Sequence, residues 1–471
     1  MRRGAVEAGQ AWRRRAGAAT VAQMLAWQPG RVLVVVLVLV GAGTGAPARG
    51  SSFDLYGFSA RARALAGAQV ALGINYDAAY YNPANILSRK QTHFGVGLDV
   101  VMPALRFNAA EGDFDRLLPD PSVGFHLGAS TPISGAFHDV IGFGLALFHP
   151  LTSGTRIESI DPSTPYFYRY QNLPDKLVLA LALAGEPAPW LRFGVGAQVL
   201  AAFNGSVTAS LSLAEGRFTR ESIDVQIVPA VAPTAGLALG PFRGFRFGAT
   251  WRHELELDYR LPVVATIEGV GDLDVFVHGV SLYTPSQLAM GIGWESAPAP
   301  EPGVSIEAGF TWELWSAAPP AGADFTLRVD DSQVRPPTDP QDAPDALVDV
   351  RAQSAPVGAQ DTVTPRIGVE WRPDTTWTAR AGWFWRPTPL PTPIYQSNLL
   401  DATAHVFSIG GGVTFGDPTG ISPTPVSIDL TLQLTHLDTR AVQKDPSGRP
   451  EGAYRFGGNI WHISLDLRHD Y

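Results

Sequence analysis

The 471-residue chain contains no cysteine, which excludes disulfide staples, thiolate metal sites and cysteine nucleophiles. It also suits a chain that crosses an oxidising periplasm, where stray thiols mispair. Charge is scarce, at 17% of residues. Long apolar runs are missing as well. The longest, residues 32–40 (VLVVVLVLV), falls far short of the roughly 20 residues a spanning helix needs. If the mature chain enters a membrane it must do so as a closed barrel, because lipid offers no partner to an open strand edge. The ten histidines are scattered singly, so no metal set forms and no cofactor is expected. No nucleophile elbow or short Ser–His spacing stands out, and no catalytic residue is assigned. The string IGGGV at 409–413 sits inside a strand pattern and lacks the helix that phosphate binding requires, so it reads as a strand kink or a close contact.

What the chain does have begins at its N-terminus. Arg2, Arg3, Arg13, Arg14, Arg15 and Arg31 precede the short apolar run, and small residues follow through Ala46-Pro47-Ala48. This order predicts a secretory signal over 1–48, cleaved after Ala48. Removing its six arginines and one glutamate from the net charge of −9 leaves −14. Nucleic acid is therefore not an expected partner, since phosphate contacts need clustered cations.

From His93 onward, short period-two segments recur between Gly, Pro, Asp and Asn. Examples are 94–100 (FGVGLDV), 123–129 (VGFHLGA), 141–147 (IGFGLAL), 191–200 and 245–251. Bulky residues alternate with Gly or Ala, as expected for a lipid-facing exterior and a crowded lumen. A soluble β-sandwich would show a similar alternation. Farther on, 286–295 and 304–312 flank a Pro-rich turn at 297–302, and 364–371 and 377–385 flank the turn starting at Arg372. Such short turns have periplasmic character. The Pro- and Asp-rich stretches 316–361 and 386–402 read as extracellular loops. Trp294, Trp312, Trp315, Trp371, Trp377, Trp383 and Trp385 lie near strand ends, where they would form aromatic girdles. In the last strand Trp461, Ile463, Leu465, Leu467, His469 and Tyr471 share one face.

Before the strands lies the compact segment 61–87, RARALAGAQVALGINYDAAYYNPANIL. Gly67 lies in a tight small-residue turn. Pro83 fixes its own φ and biases Asn82 toward an extended conformation, while the Asn82 side chain can satisfy local backbone donors. The segment, its place between signal and strands, and the terminal aromatic resemble the outer-membrane hydrophobic-compound transporters of the FadL/TodX type. That resemblance covers nearly the whole mature chain and implies an all-β fold. A transmembrane antiparallel barrel of about 14 strands, residues 91–471, would be plugged by an N-terminal hatch, residues 49–90. The hatch would carry the gating motif Gly67, Asn82, Pro83 and Ala84. Further matches are Trp312-Glu-Leu-Trp315-Ser and 380–389. Where relatives carry a Pro-Asp motif this chain has 399–405 (LLDATAH), in which only Asp401 corresponds.

The resemblance further implies a monomer in the outer membrane of a Gram-negative bacterium, surrounded by its lipids. The last strand resembles the sorting signal read by the barrel-assembly machinery. The cargo would be a long-chain fatty acid or another hydrophobic small molecule, taken up passively. Such a ligand needs an apolar tunnel and, for a carboxylate, one or two cations. Phe53, Leu55, Tyr56 and Phe58 are candidates for the tunnel wall, with packing of hatch on barrel as the alternative. Arg61 and Arg63 are candidates for the carboxylate, with lumenal salt bridges as the alternative. A general porin for polar solutes, an outer-membrane lipase and an adhesin are the competing functions.

Overall fold

The computed structural model describes residues 56–74, 76–109, 118–135, 140–151, 164–171, 177–212, 217–267, 271–330, 346–393, 397–416, 424–444, 450 and 452–471. The signal segment, Phe53 and Leu55 lie outside these residues. Among the described residues, twenty strands follow the hatch. They are β1 (His93–Ala109), β2 (Ser122–Pro132), β3 (Ile141–Pro150), β4 (Tyr166–Phe167), β5 (Val178–Ala188), β6 (Leu191–Ser212) and β7 (Arg217–Phe242). Next come β8 (Phe245–Arg252), β9 (Leu255–Ile267), β10 (Gly271–Thr284), β11 (Gln287–Glu295), β12 (Gly303–Glu313), β13 (Ala323–Asp330) and β14 (Ala346–Ala352). The chain finishes with β15 (Thr362–Arg372), β16 (Trp377–Arg386), β17 (Leu399–Leu400), β18 (Ala404–Gly416), β19 (Pro425–Gln443) and β20 (Ala453–Asp470).

Fourteen of them close a ring of antiparallel pairs: β1, β2, β3, β5, β6, β7, β8, β11, β12, β15, β16, β18, β19 and β20. The seam is the β20–β1 pair, in register from His93↔Asp470 to Ala109↔Tyr454. Closure leaves no edge in the wall, as a hydrocarbon environment demands. Strands β9, β10, β13 and β14 continue the same sheet outside the ring, β9 pairing in parallel with the far half of β6 at Val207↔Val263. The expectation that 316–361 is all loop is corrected here, because β13 and β14 lie within it. Pro233 sits next to Thr234, the last β7 residue paired with β8, so its missing N–H falls where that ladder stops.

Alternation is nearly strict along the wall. In β1, Phe94, Val96 and Leu98 face out while His93, Gly95, Gly97 and Asp99 face in. In β20, Trp461, Ile463, Leu465 and Leu467 face out, and His462, Ser464, Asp466 and Arg468 are buried. The result is an apolar outer band around a polar lumen, the inverse of a soluble core. Trp294, Trp371 and Trp377 are exposed at the short-turn end, and Trp312 and Trp385 at the long-loop end, as girdles require. Trp383 is half-buried. Trp315 departs from the expectation: it is only 5% exposed and packs among the long loops against Tyr283 and Tyr168. It follows the wall strand β12 and turns inward in a 3-10 turn, Trp315–Ala317.

Candidate functional site

The hatch occupies the lumen as three short pieces: helix α1 (Ala60–Ala64), helix α2 (Ala78–Tyr81) and a 3-10 turn, Pro83–Leu87. Ser59 caps α1, its Oγ accepting from Ala62 N at 3.2 Å. Gly67 N donates to Ala62 O and Ala66 N to Arg63 O, a C-terminal reversal that puts Ala66 at φ 54° and Gly67 at φ 72°. Two left-handed residues in succession explain the glycine at 67. At the other end Asn82 is extended (φ −157°), caps the 3-10 turn by accepting from Ala84 N at 3.1 Å, and is followed by Pro83 at the first position. Asn-Pro-Ala is thus a cap, a φ-locked starter lacking an N–H that would have gone unused, and a small residue where the wall comes close.

None of these pieces has a core of its own, and the wall supplies one. Glycines in ten wall strands face the hatch at van der Waals range. A Cβ on Gly95 would stand 2.0 Å from the Tyr76 ring, one on Gly194 2.5 Å from the Pro83 carbonyl carbon, and one on Gly236 2.2 Å from Asn82 Oδ1. Gly410, within the IGGGV string, meets Ala64 in the same way. Wall strands normally leave room for inward side chains, and here that room is filled by the hatch itself.

Polar anchors fix the orientation. Arg61 Nε donates to Glu370 Oε2 at 2.8 Å, and Glu370 also takes Arg372 at 2.7 Å and Arg380 at 2.8 Å. Arg63 pairs with Asp99 and donates to Ser464 Oγ at 2.8 Å. His126 lies between Asp99 at 2.6 Å and Asp466 at 2.8 Å, and Asp466 accepts from Ala60 N and Tyr76 OH. Glu307 of β12 receives three successive hatch amides, Val70, Ala71 and Leu72, at 2.7, 3.0 and 2.7 Å. Arg252 grips Tyr80 by its carbonyl at 2.7 Å and stacks over its ring at 4.2 Å. Burial pushes the Tyr81 phenol up to about 12, and its oxygen accepts from Phe58 N at 3.0 Å.

The structure therefore brings Arg61, Arg63, Gly67, Asn82, Pro83 and Ala84 together in the hatch–wall contact. Both arginines are held by wall acids. Phe58 packs edge-on against Tyr76 and His126, centroids 5.7 and 5.3 Å away. Tyr56 sits against His462 at 5.5 Å. One anchor, Glu307, escaped the sequence reading because its partners are some 235 positions away. The available signal was an acid on the inward parity of β12, with Ser305 and Thr311.

Between the hatch and the long loops the interior turns aromatic. Phe107, Phe148, Phe167, Tyr170, Tyr454 and Phe456 are buried in one cluster that reaches Tyr56 and Phe58. Phe107 and Tyr454 lie 4.8 Å apart, and Phe167 meets Phe456 at 6.1 Å. Two loop segments cover this cluster. β4 and β17 pair in parallel, Tyr166↔Leu399 and Phe167↔Leu400, with Tyr166 N donating to Asn398 O at 3.0 Å. Beside them Arg169 lies over the Trp315 ring at 4.7 Å and 3.7 Å from Asp401, both charges buried. At the hatch side a cavity of about 60 Å³ opens between Tyr80, Arg252, Arg366 and Arg386, enough for a few waters.

No family model matches the chain. Alkane uptake protein A of Marinobacter nauticus is 22% identical over 393 residues, 77% of this chain and 78% of that one. A FadL homologue from Pseudomonas aeruginosa superposes with a TM-score of 0.54 at 14% identity, covering 88% of this chain and 98% of that one. The P. putida toluene transporter TodX gives 0.52 at 15%, covering 89% and 99%. With fourteen wall strands closed around an N-terminal plug, the chain has the FadL/TodX fold.

Proposed function

We propose that the protein is a passive outer-membrane uptake channel for hydrophobic small molecules, long-chain fatty acids or hydrocarbons of similar bulk. The observation that carries this reading is the buried aromatic cluster between the hatch and the long loops. A barrel lumen that is polar around the hatch becomes apolar and aromatic above it, a costly surface for an aqueous pore and a favourable one for an apolar guest. The names of the similar proteins, alkane uptake protein and toluene transporter, agree with it. Cargo would enter by parting of the β4–β17 lid, rest among Phe107, Phe167, Tyr454 and Phe456, and leave when the hatch shifts. Tyr56 and Phe58 form the floor of this cluster.

In this reading Gly67, Asn82, Pro83 and Ala84 set how firmly the plug is held, and Arg61 and Arg63 hold it rather than the cargo. The export signal at 1–48 is removed, the terminal strand is read by the assembly machinery, and the barrel works as a monomer among outer-membrane lipids. A filled lumen disfavours a general porin. The test is uptake of labelled oleate and dodecane by cells lacking their own transporter, beside sucrose flux in liposomes. Hydrophobic uptake without sucrose flux supports the reading. Rapid sucrose flux with no hydrophobic uptake overturns it.

A further inference from the structure

Outside the ring, at the long-loop end, the sheet runs on. The outer part of β6 is flanked by β7 on one side and by β9 on the other, and β10, β13 and β14 follow in that order. This outer sheet is open, because among the described residues β14 pairs with β13 alone. The free side of β14 presents unpaired backbone N–H and C=O groups, a template for one more strand.

Native edges are blunted by proline, lysine, bulges or inward-pointing charges. The opposite edge, the outer part of β7, carries Pro229 and Pro233, which have no N–H to offer. β14 has neither proline nor lysine. Its seven residues, ALVDVRA, are all exposed, and Leu347, Val348 and Val350 are 57, 41 and 49% open to solvent. The one irregularity in its pairing with β13 falls at its start, which leaves 348–352 regular. There Val348, Val350 and Ala352 share one face, and Asp349 and Arg351 share the other.

The order of these residues selects the occupant. When two copies of a strand pair antiparallel about a two-fold axis, one residue faces itself and its neighbours face each other in reverse order. Centred on Val350, the pairing sets Val350 against Val350, Val348 against Ala352, and Asp349 against Arg351 twice over. Moving the centre by one residue either way sets Asp349 against Asp349 or Arg351 against Arg351, which is destabilising. Within one copy the two charges already meet. Arg351 Nε and Nη2 donate to the two Asp349 carboxylate oxygens at 3.1 Å each, in the open. In the pair each charge gains a second opposite neighbour, and the strand brings no net charge to the contact.

We propose that β14 is a self-association edge, through which two copies of this chain join by antiparallel β14–β14 pairing centred on Val350. Each monomeric barrel remains the transport unit. The pairing makes one continuous outer sheet from two and removes an edge that would otherwise stay open.

The test uses the full-length protein in detergent micelles, with size exclusion and light scattering over a range of concentrations. Wild type should reach two chains per particle. Asp349→Arg and Arg351→Asp each set like charges opposite and should raise the dimer dissociation constant by about tenfold. Mixing the two variants should restore pairing, because each then faces its complement. Heat-modifiability on gels checks that both barrels are folded. Since the chain has no cysteine, oxidised Val350→Cys should cross-link to its copy, whereas Ala352→Cys, set opposite Val348 of the copy, should not. A wild type that stays monomeric at every concentration overturns the assignment. So do dimers that ignore both charge reversals, mixed variants that fail to pair, or equal cross-linking at the two positions.

Discussion

Asn82 and Leu237 join the hatch to the barrel wall through one amide. Asn82 Nδ2 donates to the Leu237 carbonyl of β7 at 3.0 Å and to Val70 O at 2.7 Å, while its Oδ1 caps Ala84. A single side chain thereby ties two strands of hatch chain to the wall, beside Gly236, where no larger residue fits.

Replacing Asn82 with Ala removes the cap, worth about 0.5–2 kcal/mol, and leaves buried carbonyls without their donor, at about 1–3 kcal/mol more. Amides of 76–88 should exchange roughly tenfold to a thousandfold faster in hydrogen-exchange mass spectrometry, with the wall unaffected. Loss of the heat-resistant barrel on gels would show that the motif supports the wall as well.

Glu307→Gln should loosen the hatch at its other end. The carboxylate accepts three backbone amides, and a neutral amide weakens each of these charge-assisted bonds. A loss of about 1.5–3 kcal/mol in local protection at residues 70–72 is expected. Unchanged exchange there would mean that the wall glycines, not the acid, set hatch docking.

Gly236→Ala should displace the Asn82–Ala84 turn, at an overpacking cost of about 1–3 kcal/mol. Single-channel recordings should show a higher ion leak than wild type. Gly416→Ala is the control, because nothing lies within 4 Å of its would-be Cβ, and its recordings should match wild type.

The lid can be locked. Tyr166 and Leu399 are parallel-paired neighbours, at a spacing that a disulfide can bridge, and the chain has no other cysteine to interfere. The double variant Tyr166→Cys/Leu399→Cys should lose hydrophobic uptake when oxidised and regain it with dithiothreitol. Full uptake by the oxidised form would place the cargo path elsewhere.

Much of the wall was legible because lipid imposes period two on every strand: Phe94, Val96 and Leu98 alternate with His93, Gly95 and Gly97 whatever the rest of the chain does. The hatch was legible from Asn82-Pro83-Ala84 because its cap and starter act within a few residues. Its anchors were not. Glu307, Glu370 and Asp466 look like ordinary lumenal acids until the ring closes and brings residues from opposite ends of the chain together. Trp315 misled for a related reason, since proximity to a strand end does not reveal whether the chain then turns outward or in. The strands β13 and β14 lie outside the ring, where no lipid enforces an alternation to read.

The seam between β20 and β1 has a consequence for assembly. Its lumenal side carries Asp99 and Asp466, and Arg63, Ala60 N and Tyr76 OH of the plug complete their coordination. Zipping these strands over an empty lumen would bury two carboxylates with only His126 and His462 of the wall beside them. The plug is thus the template on which the last strand finds the first, and a barrel born without it would hesitate at its final stitch.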